Sequence, residues 1–299
     1  MTVGPTTNGW HVALRTDAGA RDGNEDSVLS MRLANGSLVV AVADGMGGLE
    51  LGDVASRTAL EALRNEMTRG GSLADAVRKA NAAVHERAGG RPMGTTLVAA
   101  HAVGHRVTVA NVGDSRAYRL TPLGIRRISI DHTHAEEARR AGGGGAEGIV
   151  TGRWSATLTR SLGGRPEVEV DVFGPIEMDD GEGLLLCSDG VHGVLADGRI
   201  ESWSQSLGDP DRAVSALVDL AISSGSEDNV SAVLLHRPAR SAAEPHPVAA
   251  RRGPAWDPRV LVERSPVQSR KSGGRRARVL GALGLVAILA AVATWFVMR

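Results

Sequence analysis

Six short runs rich in valine and leucine constrain the fold of this chain more than any other feature. Most of them are bounded by glycine or aspartate, and their length and composition are typical of β-strands. Two of the runs are separated by only the residues Val103, Gly104 and His105, which predicts an antiparallel hairpin. The six predicted strands are 38–43, 96–102, 106–112, 115–120, 183–188 and 231–236.

Helical periodicity occupies other stretches between these strands. Apolar residues recur at helical spacing over residues 53–67 and again over 73–88. A third helix is predicted to begin at Asp209, an N-cap residue that is followed by Pro210 at the first helical position. Residues 9–237 are therefore predicted to form one structured domain of strands and helices, without internal repeats.

Five aspartates stand in or at the end of an apolar run or at a glycine turn: Asp26, Asp44, Asp114, Asp189 and Asp228. Carboxylates that converge at strand tips repel one another, and they are costly to bury unless cations neutralise them. Magnesium, manganese and calcium ions prefer oxygen donors. The five aspartates together predict one metal site, although each alone could be a turn or cap residue.

Six motifs, five of which contain these aspartates, follow one another along the chain. They are RDGNED at 21–26, ADGMGG at 43–48, MGTT at 93–96, VGDSRAY at 112–118, LCSDG at 186–190 and EDNV at 227–230. Their order and approximate spacing resemble those of the metal-dependent type 2C (PPM family) serine/threonine protein phosphatases of bacteria. The resemblance covers about residues 9–237, and six ordered motifs are much more specific than any single one.

The resemblance implies an α+β fold, a four-layer α-β-β-α sandwich of two antiparallel sheets flanked by helices, with a two-metal centre at one end. Carried over by position, Asp44 bridges two Mn²⁺ or Mg²⁺ ions, and the Gly45 carbonyl binds one of them. Asp189 and Asp228 hold the other ion. Asp26 acts largely through metal-bound water.

Two further residues complete the predicted site. Asp114 is implied to join Asp189 at a third, weaker metal position. Arg21 is the candidate phosphate clamp, because a planar guanidinium can donate two hydrogen bonds to phosphate oxygens. Alone it would be interpreted as a solvated surface arginine, but its place five residues before Asp26 favours the clamp.

The chemistry also follows from the demands of the reaction. Phosphate-monoester hydrolysis is among the slowest uncatalysed reactions, so it needs a strong nucleophile and neutralisation of the phosphoryl charge. Two divalent ions about 3.5–4 Å apart meet both needs through a bridging metal-bound water. We expect hydrolysis of phosphoserine and phosphothreonine in proteins, opposing a serine/threonine kinase. The alternative is a catalytically silent phosphopeptide-binding module of the same fold.

Charge is distributed unevenly between the domain and the tail. From residue 238 onward there are 11 basic and 3 acidic residues, a net charge of +8, which leaves residues 1–237 with a net charge of −8. Binding to a nucleic-acid backbone needs a basic face. An acidic domain therefore disfavours nucleic acid as a partner, and with it a metal-dependent nuclease.

The histidines near the motifs are interpreted as having no special role. His132 and His134 form a pair two residues apart without further ligands nearby. His192 follows Asp189 closely and could move a proton, but a surface position is favoured. Cys187, the only cysteine, is predicted to be a buried strand residue, and a reducing compartment is expected.

The C-terminal part predicts a membrane anchor. Residues 238–278 are rich in proline and arginine and are predicted to be a disordered linker. Residues 279–298 form a run of 20 uncharged residues, about 30 Å long as a helix, which matches a bilayer core. Arginines before this run, together with no recognisable signal peptide, predict a single-pass membrane protein with a cytoplasmic catalytic domain.

Overall fold

The structure, a computed structural model, describes residues 9–141, 157–205 and 207–239. Within these residues the strands are β1 (His11–Asp17), β2 (Asp26–Arg32), β3 (Leu38–Met46), β4 (Gly94–Thr95), β5 (Leu97–Val103), β6 (Arg106–Val112), β7 (Arg116–Thr121), β8 (Gly124–Arg127), β9 (Asp171–Glu177), β10 (Gly183–Cys187) and β11 (Val230–His236). The helices are α1 (Leu49–Thr68), α2 (Leu73–Ala88), α3 (His134–Arg140), α4 (Asp189–His192), α5 (Asp197–Ser204) and α6 (Pro210–Ser223).

The strands form two sheets in which the neighbouring strands pair antiparallel. One sheet has the strand order β1-β11-β10-β7-β8, and the other has the order β2-β3-β5-β6-β9, with β4 paired to β3. β5 and β6 pair up to Val103 and Arg106, which confirms the predicted hairpin.

Side chains that alternate along the central strands build the layers of the fold. In β10, Leu184 and Leu186 pack between the two sheets, whereas Leu185 and Cys187 pack against α5 and α6 on the outer face. On the other sheet, the outer face packs against α1 and α2. The predicted sandwich of two antiparallel sheets flanked by helices is confirmed, as is the burial of Cys187.

Helix α6 begins where local chemistry predicts. The Asp209 carboxylate accepts a hydrogen bond from the Asp211 N–H at 3.0 Å, and Pro210 occupies the first turn of α6. A proline there loses no hydrogen bond, because the first N–H groups of a helix have no intrahelical partner. The predicted helices over 53–67 and 73–88 correspond to α1 and α2.

Five strands were not predicted: the two-residue β4, which pairs with β3, and the four sheet edges β1, β8, β2 and β9. Edge strands pack on fewer neighbours, and three of these four mix buried and accessible residues while β8 has no buried residue. β9 also contains Pro175, which fits an edge position because proline cannot donate to a sheet ladder.

Several predictions fall outside the described residues. The linker beyond residue 239 and the span 279–298 are among them, so the domain boundaries and the membrane anchor stay predictions. None of the helices in the described residues has both the length and the apolar character needed to cross a bilayer.

Candidate metal centre

The five aspartates stand at or near strand ends where the two sheets meet. Asp26 opens β2 and lies directly opposite Asp44 of β3 in the antiparallel register. Asp114 follows β6, Asp189 begins α4 just after β10, and Asp228 precedes β11. Strands from both sheets thus deliver carboxylates to one end of the sandwich.

Six of the seven predicted site residues line one pocket of about 340 Å³. The seventh, Asp26, lies beside it. Asp26 is 6% exposed, and its Oδ2 accepts a hydrogen bond of 2.8 Å from the Ser188 hydroxyl. The residues that line the pocket are Arg21, Asp44, Gly45, Asp114, Asp189 and Asp228.

The pocket is strongly acidic. Besides four of the predicted aspartates it contains Glu25, which was not predicted, so five carboxylates face one guanidinium, that of Arg21. Carboxylates at such close quarters repel one another, and this repulsion disfavours their ionised form.

The pKa values of four aspartates show the cost of this crowding. Burial, reinforced by the carboxylates of Asp189 and Asp228, raises the pKa of Asp26 to about 7. Burial and the Asp189 carboxylate raise the pKa of Asp114 to about 7. Burial also raises the pKa of Asp44 well above its ordinary range and, less strongly, that of Asp189. Bound cations would reverse these shifts, because they stabilise the ionised form.

The donor set fits hard divalent cations. Asp189 Oδ1 is buried and has no hydrogen-bond partner among the described residues, and a cation would satisfy it. Within the same residues, no three His, Cys, Asp or Glu side chains are grouped so that they could hold an ion by themselves. Magnesium-type sites commonly use one or two carboxylates and complete their shell with water. The remaining ligands of each ion would therefore have to be water molecules or a backbone carbonyl, such as that of Gly45 for one of the ions.

Arg21 lies at the rim of the pocket. Its Nε donates to the Glu227 carbonyl at 2.9 Å, and its Nη2 donates to Asp228 Oδ2 at 2.9 Å. About half of its side chain is exposed. The candidate phosphate clamp therefore also contacts a predicted metal ligand.

Asn229 fixes the loop that carries Arg21, a role that sequence reasoning missed. Its Oδ1 accepts from the Glu25 N–H at 2.8 Å, while its Nδ2 donates to the carbonyls of Ala18 and Gly23 at 2.9 and 2.8 Å. One amide side chain thus ties residues 18–25 to the segment that carries Asp228. The motif EDNV contained the signal, but not the contacts.

The glycine after Asp44 is required by space. A Cβ on Gly45 would collide with the carbonyl oxygens of Gly52 and Glu25. The N–H of Gly45 donates to the Glu25 carbonyl at 3.2 Å, which joins the RDGNED and ADGMGG segments. Glycine allows the two backbones to approach closely beside the carboxylates.

One histidine differs from its interpretation, and a second is buried. His192 is not a surface residue: it is partly buried, its Nε2 lies 3.0 Å from the Asp114 carbonyl, and burial lowers its pKa to about 4. His132 is 2% exposed and bonds to Gly113. His134 is exposed, as expected of a residue without a special role.

Comparison with known proteins identifies the family. The family described as "Protein phosphatase 2C" matches residues 3–230. The chain is 33% identical to the serine/threonine phosphatase stp of Listeria welshimeri over 242 residues, which cover 76% of this chain and 96% of that protein.

Solved structures agree. The crystal structure of the Mycobacterium tuberculosis serine/threonine phosphatase PstP/Ppp is similar with a TM-score of 0.67 and 32% identity, covering 77% of this chain and 99% of that one. The catalytic domain of the serine/threonine protein phosphatase PstP, solved in complex with two manganese ions, is similar with a TM-score of 0.64 and 30% identity, covering 76% and 97%. The chain therefore belongs to the protein phosphatase 2C family of metal-dependent serine/threonine protein phosphatases, as its motifs predicted.

Proposed function

We propose that this chain hydrolyses phosphoserine and phosphothreonine in proteins, with Asp44, Gly45, Asp189 and Asp228 holding two divalent ions. One observation carries the proposal: the pocket presents five carboxylates and one arginine. Such a pocket repels a phosphate dianion unless cations neutralise the carboxylates first. When bound, Mn²⁺ or Mg²⁺ supplies that neutralisation together with an activated water.

The chain itself contributes rigid placement of the donors. The register that pairs Asp26 with Asp44 fixes these two carboxylates relative to each other. The Thr96 N–H and the Thr95 hydroxyl both donate to the Asp44 carbonyl at 2.8 Å, which immobilises the backbone that carries the carboxylate. Donors that are already held in place do not have to be reorganised when the substrate arrives.

Arg21 is proposed to bind the substrate phosphate. The carbonyl of Glu227 and the carboxylate of Asp228 orient its guanidinium through Nε and Nη2. In the part of the chain that the structure describes, its Nη1 makes no hydrogen bond and can donate to a phosphate oxygen. The clamp would thus be positioned before the phosphate arrives.

Phosphate release from a phosphothreonine peptide tests the function. We expect release with Mn²⁺, none after chelation by EDTA, and none from the Asp44→Asn variant. Binding of the peptide without release, at saturating Mn²⁺, would instead support the catalytically silent phosphopeptide-binding module. Release that EDTA does not affect would contradict a metal-dependent mechanism.

We also propose that residues 279–298 tether the catalytic domain to the cytoplasmic face of a membrane. The run carries no charge, and the basic bias of its preceding flank favours keeping that side in the cytoplasm. Removal of residues 279–299 should give a soluble and fully active enzyme. Membrane retention of the truncated form, or a cytoplasmic reporter signal from the C-terminus, would contradict the tether. The basic flank consists of Arg270, Lys271, Arg275, Arg276 and Arg278.

The proposed substrates are proteins phosphorylated by a serine/threonine kinase, including the kinase itself. This follows from the reaction, because protein phosphoserine and phosphothreonine arise by kinase action. Phosphoproteomics of a deletion strain should show phosphosites that accumulate when the phosphatase is missing. An unchanged phosphoproteome would contradict this assignment.

A further inference from the structure

Two histidines from separate segments hold the main chain at Asp114. The His132 N–H donates to the Gly113 carbonyl at 3.0 Å, and His132 Nδ1 accepts from the Gly113 N–H at 2.9 Å. The Nε2 of His192 lies 3.0 Å from the Asp114 carbonyl. Three backbone groups of Gly113 and Asp114 are therefore bonded to these two residues.

The partners fix the tautomer of each ring. A backbone N–H can only donate, so Nδ1 of His132 is the acceptor and its ring proton is on Nε2. That Nε2 lies 3.3 Å from Asp171 Oδ2, although the contact does not meet hydrogen-bond geometry. A carbonyl can only accept, so Nε2 of His192 carries the proton that it donates to Asp114. Each ring thus has one defined orientation.

The residue between β6 and Asp114 needs such support. Gly113 has φ +108°, a backbone conformation that side chains rarely allow, and a Cβ there would collide with Thr96. Glycine has no side chain to restrict its own backbone. Bonds from His132, and from Asn111 Nδ2 to the same carbonyl at 3.2 Å, restrict it instead.

His192 also joins Asp114 to a second predicted ligand. It is the last residue of α4, and Asp189 is the first residue of the same four-residue helix. A hydrogen bond from His192 to the Asp114 backbone therefore ties Asp114 to the element that carries Asp189. His132, on its other side, is anchored by the Thr159 N–H, which donates to its carbonyl at 2.8 Å.

We propose that His132 and His192 are positioning residues that hold Asp114 at a fixed place relative to Asp189, and so set the affinity for the divalent ion that these two aspartates would share. The inference rests on the metal roles proposed above for Asp114 and Asp189. Neither histidine needs to touch an ion or the substrate. Outer partners of metal ligands typically change affinity by about 10–100-fold when they are lost.

Paired variants of the full-length protein separate positioning from general stability. His132→Leu removes the acceptor for the Gly113 N–H, whereas in His132→Asn the amide oxygen can take the place of Nδ1. His192→Leu removes the donor to Asp114, whereas in His192→Gln the amide nitrogen can take the place of Nε2. His101→Leu is the matched control, because His101 is also partly buried and bonds to Ser37 Oγ at 2.9 Å, near the end of β5 remote from the site.

Mn²⁺ titration calorimetry and amide hydrogen exchange are the two readouts. We expect both leucine variants at the site to weaken the weakest Mn²⁺-binding step by about 10-fold or more, while the tighter steps change little and the amide variants recover most of the loss. The Gly113 amide should exchange faster in His132→Leu, even without metal. His101→Leu should change neither readout at the site.

Three outcomes would overturn the proposal. In the first, the leucine variants bind every ion as the wild type does. In the second, the amide variants lose as much as the leucine variants, or all binding steps weaken alike, as a general loss of stability would cause. In the third, exchange at Gly113 is unchanged in His132→Leu.

Asp114→Ala keeps this test separate from the proposed function. If this variant removes a weak ion while the histidine variants do not, only the positioning role fails. If it leaves Mn²⁺ binding unchanged, the metal role of Asp114 fails, and the positioning role fails with it.

Discussion

Asp171 and Asp114 lie at the ends of the neighbouring strands β9 and β6, and their surroundings shift their pKa values in opposite directions. Burial alone would raise the pKa of Asp171, yet His132 and Arg160 outweigh it and lower the pKa to about 2. Burial and the Asp189 carboxylate raise the pKa of Asp114 to about 7. What differs is whether a cation or a strong donor faces the carboxylate.

Other acids near the site also have arginine partners, as Asp171 does. Asp131 accepts hydrogen bonds from Arg116 at 2.6 Å and from Arg127 at 3.2 Å, and Glu136 accepts from Arg139 at 2.6 Å. The pocket acids, by contrast, share one arginine among five carboxylates. The comparison separates acids that stabilise the fold from acids whose cation must come from solution.

The largest effect should come from removing a pocket acid. Asp44→Asn should lower phosphatase activity by more than about 100-fold, because even outer partners of metal ligands cost 10–100-fold. The fold should persist, as judged by circular dichroism. Glu136→Gln is the control, since this acid has arginine partners, and its activity should stay near wild type. Activity of Asp44→Asn near wild type at saturating Mn²⁺ would show that the pocket acids do not hold the catalytic ions.

Matched amide substitutions at Asp171 and Asp114 test the comparison through stability. Asp171→Asn leaves Arg160 without its carboxylate and should lower the free energy of unfolding by about 2–3 kcal/mol. Asp114→Asn removes a charge that has no strong cationic partner, and should leave the metal-free protein as stable or more so. Urea unfolding in EDTA measures both. A similar loss of unfolding free energy in the two variants would mean that both carboxylates stabilise the fold to the same extent.

The central strands could be predicted from sequence and the edge strands could not. The six predicted runs correspond to β3, β5, β6, β7, β10 and β11, which have neighbours on both sides. Most of these strands are largely buried and appear in the sequence as apolar runs, although β7 mixes buried and half-buried residues. The edge strands pair on one side only, and their mixture of polar and apolar residues resembles that of a loop.

The aspartates were predictable for a related reason: each ends an apolar run or stands at a glycine turn. Asn229, His132 and His192 were not, because their partners are backbone groups that lie far away in sequence. Asn229 bonds to Ala18, for example, across 211 positions. Contacts of this kind leave no spacing pattern, so only the folded chain reveals them.

Arg21 is the one arginine that the five pocket acids share. Arg21→Ala should reduce kcat/KM by an amount equivalent to about 1.5–3 kcal/mol, the range for a hydrogen bond to a charged group. Arg21→Lys should keep the positive charge near Asp228 but lose the two-bond geometry of the guanidinium. It should therefore recover only part of the loss in kcat/KM. Kinetics with parallel Mn²⁺ titration measure this. A shift in metal affinity as large as the kinetic loss would show that Arg21 serves the metal site and not the phosphate.

The smallest effect should appear in the metal-free protein as pH changes. Asp26 and Asp114 have folded-state pKa values of about 7, above the ordinary value of 3.8, so the native state holds protons that the unfolded state has released. The stability that these protons provide is present at low pH and is lost as pH rises through 7.

Between pH 6.5 and 8, each carboxyl should lower the free energy of unfolding by about 1 kcal/mol. For a domain of this size, this corresponds to a fall of about 2–4 °C in Tm. His192, whose lowered pKa affects stability mainly below pH 6.5, contributes only a small opposing change in this window. Asp171 matters only in stronger acid. Thermal unfolding in EDTA should therefore show Tm falling with pH, and Mn²⁺ should raise Tm more at pH 8 than at pH 6.5. Asp114→Asn should flatten the metal-free profile. A flat wild-type profile would mean that the pocket carboxylates are not crowded, and the contrast with Asp171 would then have no energetic basis.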